Sequence, residues 1–194
     1  MQFIDLAKQQ SLIKTNLDKR IQDVLAHGKY IMGPEIKEME AQLAEYVGVK
    51  HCVSCSSGTD ALLMPLLAWD VGPGDAVFTT PFTFIATAEV IQLLGATPIF
   101  VDIDPKTYNI SPELLDDAIT EVIEKGELNP KVIIPVDLFG LPADYAAIEL
   151  ISKKYDIKIL EDAAQGFGGQ IDDRLAGSFG DAASTSFFPA KPLG

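Results

Sequence analysis

The sequence predicts an α/β protein in three layers, with a mostly parallel central sheet between helices. Two observations carry this. From residue 51 onward, short apolar runs alternate with longer stretches of helical apolar spacing. Several of the short runs, such as Val132-Ile133-Ile134-Pro135-Val136 and Ile157-Lys158-Ile159-Leu160, are apolar almost without interruption. That is the pattern of strands covered on both faces.

In chain order, Ile4, Leu6, Leu12, Ile13, Leu17, Ile21, Val24 and Leu25 recur at helical spacing across residues 4–27, and Gly28 marks a turn. Gly33-Pro34-Glu35 opens a second helix, with proline in its first turn and an acid at its positive end. Met39, Leu43 and Tyr46-Val47 share one face of it, and Gly48 closes it. Strands are then expected at 51–55, 76–80, 98–102, 131–136, 157–161 and 182–187, with helices at 58–69, 83–94, 111–125 and 142–155. Ser111-Pro112-Glu113 is a strong entry to the third of those helices, a serine cap followed by proline. Residues 1–50 are therefore read as an N-terminal helical segment outside a sheet domain of residues 51–194.

Bulk properties narrow the partners. The 194 residues suffice for one sizeable domain, alone or with a small appendage, and 47% hydrophobic with 22% charged residues is an ordinary globular mixture. A formal net charge of −13 repels phosphate backbones and anionic lipid, so neither nucleic acid nor membrane is an expected partner. Any phosphate site must then be a local device of backbone N–H groups and hydroxyls. The start, Met1-Gln2-Phe3-Ile4-Asp5-Leu6-Ala7-Lys8, acquires charge at once, and no apolar run approaches the roughly 18 residues of a spanning helix. Cys52 and Cys55, in His51-Cys52-Val53-Ser54-Cys55, lack the second pair of a zinc site and are read as small hydrophobes on a core strand. A reducing, cytoplasmic location and no metal are expected.

In open α/β sheets, ligands bind beyond the carboxyl ends of the strands, and four segments fall there. Ser56-Ser57-Gly58-Thr59-Asp60-Ala61-Leu62 is either a capped turn or a phosphate cradle of free N–H groups and hydroxyls. Thr79-Thr80-Pro81-Phe82-Thr83-Phe84 places aromatics where they could be core or could stack on a flat heterocycle. Glu161-Asp162-Ala163-Ala164-Gln165-Gly166 puts a carboxylate at a strand tip, suited to a ring-nitrogen proton, a metal or a helix cap. In Ser184-Thr185-Ser186-Phe187-Phe188-Pro189-Ala190-Lys191-Pro192-Leu193-Gly194, a lysine flanked by prolines follows an apolar stretch. Partial desolvation would make it an amine nucleophile, and the alternative is an exposed loop lysine. Each segment is ambiguous alone. A phosphate cradle, a stacking aromatic, an acid and an amine together are the contacts that pyridoxal 5′-phosphate (PLP) requires.

At these residues the chain resembles the DegT–StrS family of PLP-dependent nucleotide-sugar aminotransferases, within fold type I of the aspartate aminotransferase superfamily. The resemblance runs through Phe3-Ile4-Asp5-Leu6, Gly33-Pro34-Glu35, Ser57-Gly58-Thr59-Asp60-Ala61-Leu62, Glu161-Asp162-Ala163-Ala164-Gln165 and Ser186-Phe187-Phe188-Pro189-Ala190-Lys191. Gly28-Lys29-Tyr30-Ile31-Met32-Gly33-Pro34-Glu35 and Lys191-Pro192-Leu193-Gly194 look most like the branch that aminates UDP-2-acetamido-2-deoxy-3-oxo-glucuronate, for 2,3-diamino uronic acids of surface polysaccharide. The resemblance implies that Lys191 carries PLP as a Schiff base and that Asp162 faces the pyridinium nitrogen. It implies that Gln165 bonds the 3-hydroxyl, that Gly58, Thr59 and Ser186 hold the phosphate, and that Phe84, rather than Phe82, stacks on the ring. The implied reaction is ping-pong, with glutamate as donor, Lys191 as proton shuttle and a nucleotide-linked keto-sugar as acceptor, in a homodimer.

The chain stops three residues past Lys191, where family members continue for about another domain. The expectation is an incomplete PLP-binding large domain without the small C-terminal domain, unable to transaminate alone. Two rival readings are an inert fold fragment and a glycosyltransferase using Asp102-Ile103-Asp104, a D-x-D that equally reads as a turn before Pro105. A PLP-type sugar dehydratase is disfavoured because that branch has histidine where Lys191 stands. Gly166-Phe167-Gly168-Gly169 lacks the spacing of a dinucleotide fingerprint.

Overall fold

A computed structural model describes residues 4–193, so Met1–Phe3, including the start of the Phe3-Ile4-Asp5-Leu6 motif, and Gly194 lie outside it. The chain builds six α-helices among these residues: α1 (Leu6–His27), α2 (Pro34–Val47), α3 (Gly58–Ala68), α4 (Ala86–Leu93), α5 (Pro112–Lys125) and α6 (Tyr145–Tyr155). Its strands are β1 (Asp75–Thr79), β2 (Thr97–Phe100), β3 (Asn129–Ile134), β4 (Lys158–Asp162), β5 (Gln170–Ile171), β6 (Arg174–Leu175) and β7 (Ala182–Ser184). Five of them form a sheet in the order β2-β1-β3-β4-β7, parallel at every pairing, and β5 and β6 make a separate antiparallel ribbon.

Side-chain alternation along the strands divides the core into two layers. Ala76, Phe78, Ile133 and Ile159 point to one face, where they pack with Leu115, Ile119 and Val122 of α5 and Ile148 and Ile151 of α6. Val77, Val132, Ile134 and Leu160 point to the other, against Leu62 and Leu66 of α3 and Val90 and Ile91 of α4. This is the expected three-layer arrangement. Phe78 is fully buried at the centre of the first face. Phe78→Ala is expected to cost about 3–5 kcal/mol in urea unfolding, with an unchanged m-value.

Caps fix the helix ends. Ser111 Oγ accepts the Leu114 N–H at the start of α5, and Asp144 Oδ1 accepts that of Ala147 at the start of α6. Pro142 and the Asp144 cap therefore delay α6 to Tyr145, three residues later than the apolar periodicity suggests. Likewise β3 ends at Ile134, because Pro135 has no N–H to continue the ladder; Val136 keeps only an isolated bridge to Asp162.

One expected strand is absent. Residues 51–55 join no ladder; Ser54 instead gives both its N–H and its hydroxyl to Glu40 Oε1 of α2, each at 2.8 Å. Val53 is 72% exposed, and Cys55 is exposed with Cys52 half-buried, so the cysteines are not the core-strand hydrophobes expected. Without a neighbouring strand, alternation cannot bury one set of side chains. The segment before it does meet the rest of the molecule. Tyr46 of α2 stacks on Phe167 with ring centroids 5.3 Å apart. The long helix α1 has no buried residue. Among the described residues, no helix is long and apolar enough to cross a membrane.

Candidate functional site

The carboxyl ends of the sheet strands open into a cleft of roughly 1160 Å³. Its lining includes all seven residues singled out above: Gly58, Thr59, Phe84, Asp162, Gln165, Ser186 and Lys191. These residues come from four chain segments, and the sheet brings them to one side.

Gly58 opens α3, with Ser57 Oγ capping the helix by accepting the Asp60 N–H at 3.1 Å. A Cβ added at Gly58 would stand 3.0 Å from Ser186 Cβ, so only glycine lets this turn touch the segment that follows β7. That close approach sets Gly58, Thr59 and Ser186 side by side. The neighbouring hydroxyls are already engaged: Ser56 and Ser57 both donate to Asp60, with Ser57 at 2.9 Å, and hold its carboxyl below the usual range. What remains for an anion is the N–H edge of α3 with the hydroxyls of Thr59 and Ser186.

Asp162 ends β4 and is almost wholly buried. Its Oδ2 accepts Thr87 Oγ1–H at 2.8 Å and its Oδ1 accepts the Ala164 N–H at 3.2 Å. Burial pushes this carboxyl above its ordinary range, opposed by those two donors and by the charge of Lys191. Gln165 follows on the next turn, where its Oε1 accepts the Phe139 N–H at 3.4 Å. Lys191 is half-buried, and its own N–H donates to Phe188 O at 2.8 Å, closing a turn that presents the side chain to the cleft. Among the described residues, no carboxylate lies within ion-pair distance of its ammonium, which leaves the amine available.

The two phenylalanines part company. Phe84 lines the cleft and is 66% exposed, whereas Phe82 packs with Tyr108 and Phe139 at centroid separations of 5.7 and 6.3 Å. The D-x-D segment is a turn: Asp104 Oδ1 accepts the N–H groups of Lys106 and Thr107 at 2.7 and 3.0 Å. Thr87 was invisible to sequence reasoning, since a threonine four residues after Thr83 reads only as helix filler. Its contact with Asp162 spans 75 positions of sequence.

The surroundings suit a flat, phosphate-bearing heteroaromatic aldehyde such as PLP. The lining offers anion donors and an accessible ring, Phe84. A buried carboxylate and an amine complete the lining. The sequence profile of the DegT/DnrJ/EryC1/StrS aminotransferase family matches residues 11–194.

The chain belongs to this family.

Among similar proteins, the UDP-2-acetamido-2-deoxy-3-oxo-D-glucuronate aminotransferase of Pseudomonas aeruginosa is 52% identical over 194 residues, covering 100% of this chain and 52% of the relative. A DegT DnrJ EryC1 StrS aminotransferase from Brucella abortus superposes with a TM-score of 0.99 at 53% identity, covering 100% of this chain and 52% of that one. NtdA from Bacillus subtilis, solved with bound cofactor PMP, superposes with a TM-score of 0.86 at 33% identity, covering 100% of this chain and 42% of that one. This DegT/DnrJ/EryC1/StrS chain thus spans about half the length of the curated relatives it matches.

Proposed function

We propose that this chain is the cofactor-binding part of a PLP-dependent aminotransferase that transfers an amino group from an amino acid to a keto group of a nucleotide-linked sugar. The observation that carries the reading is the convergence of Lys191, Asp162 and the Gly58–Ser186 contact on one cleft. In this reading residues 51–194 form the cofactor-binding unit, and residues 1–50 are an appended helical segment. Gly58, Thr59 and Ser186 hold the phosphate, Phe84 covers the ring, and Gln165 bonds the ring hydroxyl. Asp162 holds the proton on the ring nitrogen, and Thr87 fixes the orientation of that carboxylate.

When bound, PLP supplies the carbonyl carbon that receives the amine and the ring that accepts electrons. The protein residues supply position and protons. With the cofactor bound, Lys191 Nζ would take the proton from Cα of the amino donor and hand it to the cofactor's aldehyde-derived carbon, and would carry it in the opposite sense when the sugar is aminated. The sugar class follows the Pseudomonas aeruginosa relative, a 3-keto uronic acid linked to UDP, for surface polysaccharide. Glutamate as donor, a homodimer in the full-length form and a cytoplasmic location complete the proposal.

Incubation of the protein with PLP, followed by borohydride reduction and peptide mass mapping, tests it. A phosphopyridoxyl adduct on Lys191 alone is the expected result. Adducts scattered over surface lysines, or none, would remove Lys191 from its role and favour an inert fragment.

A further inference from the structure

Behind the cleft lies a group of acids that the proposed chemistry does not use. Asp137 and Glu161 are both fully buried, and Tyr145 is nearly so. Asp137 Oδ1 accepts Tyr145 Oη–H at 2.8 Å and the Ala143 N–H at 3.0 Å, but Oδ2 has no partner that could donate to it. Glu161 is placed differently. Its Oε1 accepts the Gly177 N–H and its Oε2 accepts the Phe179 N–H at 2.8 Å. The two side chains interact directly, and a buried oxygen with no donor beside a carboxylate whose two oxygens are both accepting is satisfied when it carries a proton itself.

We propose that Asp137 carries a proton on Oδ2 and donates it to Glu161, and that this neutral-acid–carboxylate pair is a positioning device for the strand tip bearing Asp162. The donor set decides which partner holds the proton. Each carboxyl accepts two donors, but those of Glu161 fall one on each oxygen, whereas both donors to Asp137 fall on Oδ1 and leave Oδ2 empty. Burial raises both carboxyls; for Glu161 the turn N–H groups oppose the rise, whereas for Asp137 the Glu161 charge adds to it and the carboxyl goes up to about 9.

The pair sits where three segments meet. The Asp137 N–H donates to Asp162 O at 3.0 Å, and the Asp162 N–H donates to Pro135 O at 2.9 Å, interlocking the two strand ends. Gly166, on the turn that carries Gln165, packs so closely that an added Cβ would lie 2.7 Å from Asp137 Cβ. Glu161 ties in the 177–179 turn. The titratable groups facing Asp137 are Glu161 from β4 and Tyr145 from α6, and the Asp162 charge acts in turn on Tyr145. The 177–179 turn contributes N–H groups, with Arg174 bonded to its Ser178 and Phe179 carbonyls.

The sign of the pH dependence follows. Asp137 is neutral in the fold but ionises at its ordinary value when unfolded. The stability it contributes is therefore complete below the ordinary carboxyl range and is lost as pH rises toward about 9. Asp137→Asn places an amide N–H where the acid proton stands and cannot ionise. Its melting temperature should stay near wild type at about pH 5 and exceed it increasingly toward about pH 9. Glu161→Gln turns an amide N–H against one of the two turn donors and should melt below wild type throughout. In infrared spectra at neutral pH, protonated-carboxyl absorption should be present in wild type and weaker in Asp137→Asn, any remainder belonging to the raised Asp162 carboxyl. The consequence for Asp162 rests on the cofactor reading: PLP affinity should fall in Asp137→Ala and be restored in Asp137→Asn.

If Asp137→Asn melts below wild type at every pH, or its protonated-carboxyl absorption is as strong as that of wild type, the shared proton is wrong. If PLP affinity is equal in Asp137→Ala and wild type, the positioning role is wrong. Absence of PLP binding in wild type as well as the variants would instead strike at the cofactor reading and, with it, the link to Asp162, while the melting and infrared results still decide the proton.

Discussion

Lys191→Ala is expected to abolish the borohydride-fixed phosphopyridoxyl adduct in this chain and, in the full-length enzyme, to lower aminotransferase turnover by at least about 10²–10⁴-fold, the range over which a positioned acid–base group acts. The fold should survive. Lys191 follows the last sheet strand, its backbone bond closes only a local turn, and its half-buried side chain belongs to neither core cluster. A change of stability within about 0.5 kcal/mol is therefore expected in denaturant melts. Lys191→Arg should fail as completely. A guanidinium keeps its proton in proteins and cannot serve as an amine nucleophile or proton carrier. Turnover retained by either variant would mean that another group does the chemistry. Lys153 and Lys154 near the end of α6 serve as internal controls, since Lys153 pairs with Glu149 and Lys154 with Asp116 on the outer surface.

The parts of the fold that depend on covering both faces of a strand were legible in the sequence, because an apolar run such as Val132–Ile134 has no other use in a protein of this charge. The four ligand segments were legible for a related reason: parallel strands expose their carboxyl ends together, so residues just after each run must share a side. The segment at 51–55 looks like a strand in sequence and is not one, because a short alternating stretch becomes a strand only if a neighbour takes its hydrogen bonds. Glu40, eleven residues before it, takes two from Ser54 instead. Thr87 and Asp137 were hidden for a different reason. Their meaning lies in contacts with Asp162 and Glu161 across the sheet, and no spacing along the chain encodes those. Phe84 and Phe82 could be separated only by the packing that draws Phe82 toward Tyr108 and Phe139.

Asp162→Asn is expected to move stability and activity in opposite directions. Burial raises the Asp162 carboxyl despite the donors Thr87 and Ala164 and the charge of Lys191. A raised folded-state value means that the carboxyl contributes most to stability in acid and loses that contribution as pH climbs past the ordinary carboxyl range. In protein without cofactor, the asparagine variant should accordingly melt above wild type at neutral and alkaline pH, with the difference closing in acid. With PLP, the ranking reverses in function. An amide cannot balance a protonated ring nitrogen, so turnover of the full-length enzyme should drop by about 10²–10³-fold, comparable to removing one fixed electrostatic group from a water-excluded site. Thr87→Val keeps the carboxylate but removes the hydroxyl bonded to Oδ2, and should weaken PLP binding by about 1–3 kcal/mol while shifting the acid limb of the activity profile upward. The two variants separate charge from orientation. If Asp162→Asn neither stabilises the cofactor-free protein nor slows turnover, the buried carboxylate is a packing residue, and the ring nitrogen must be held by another group.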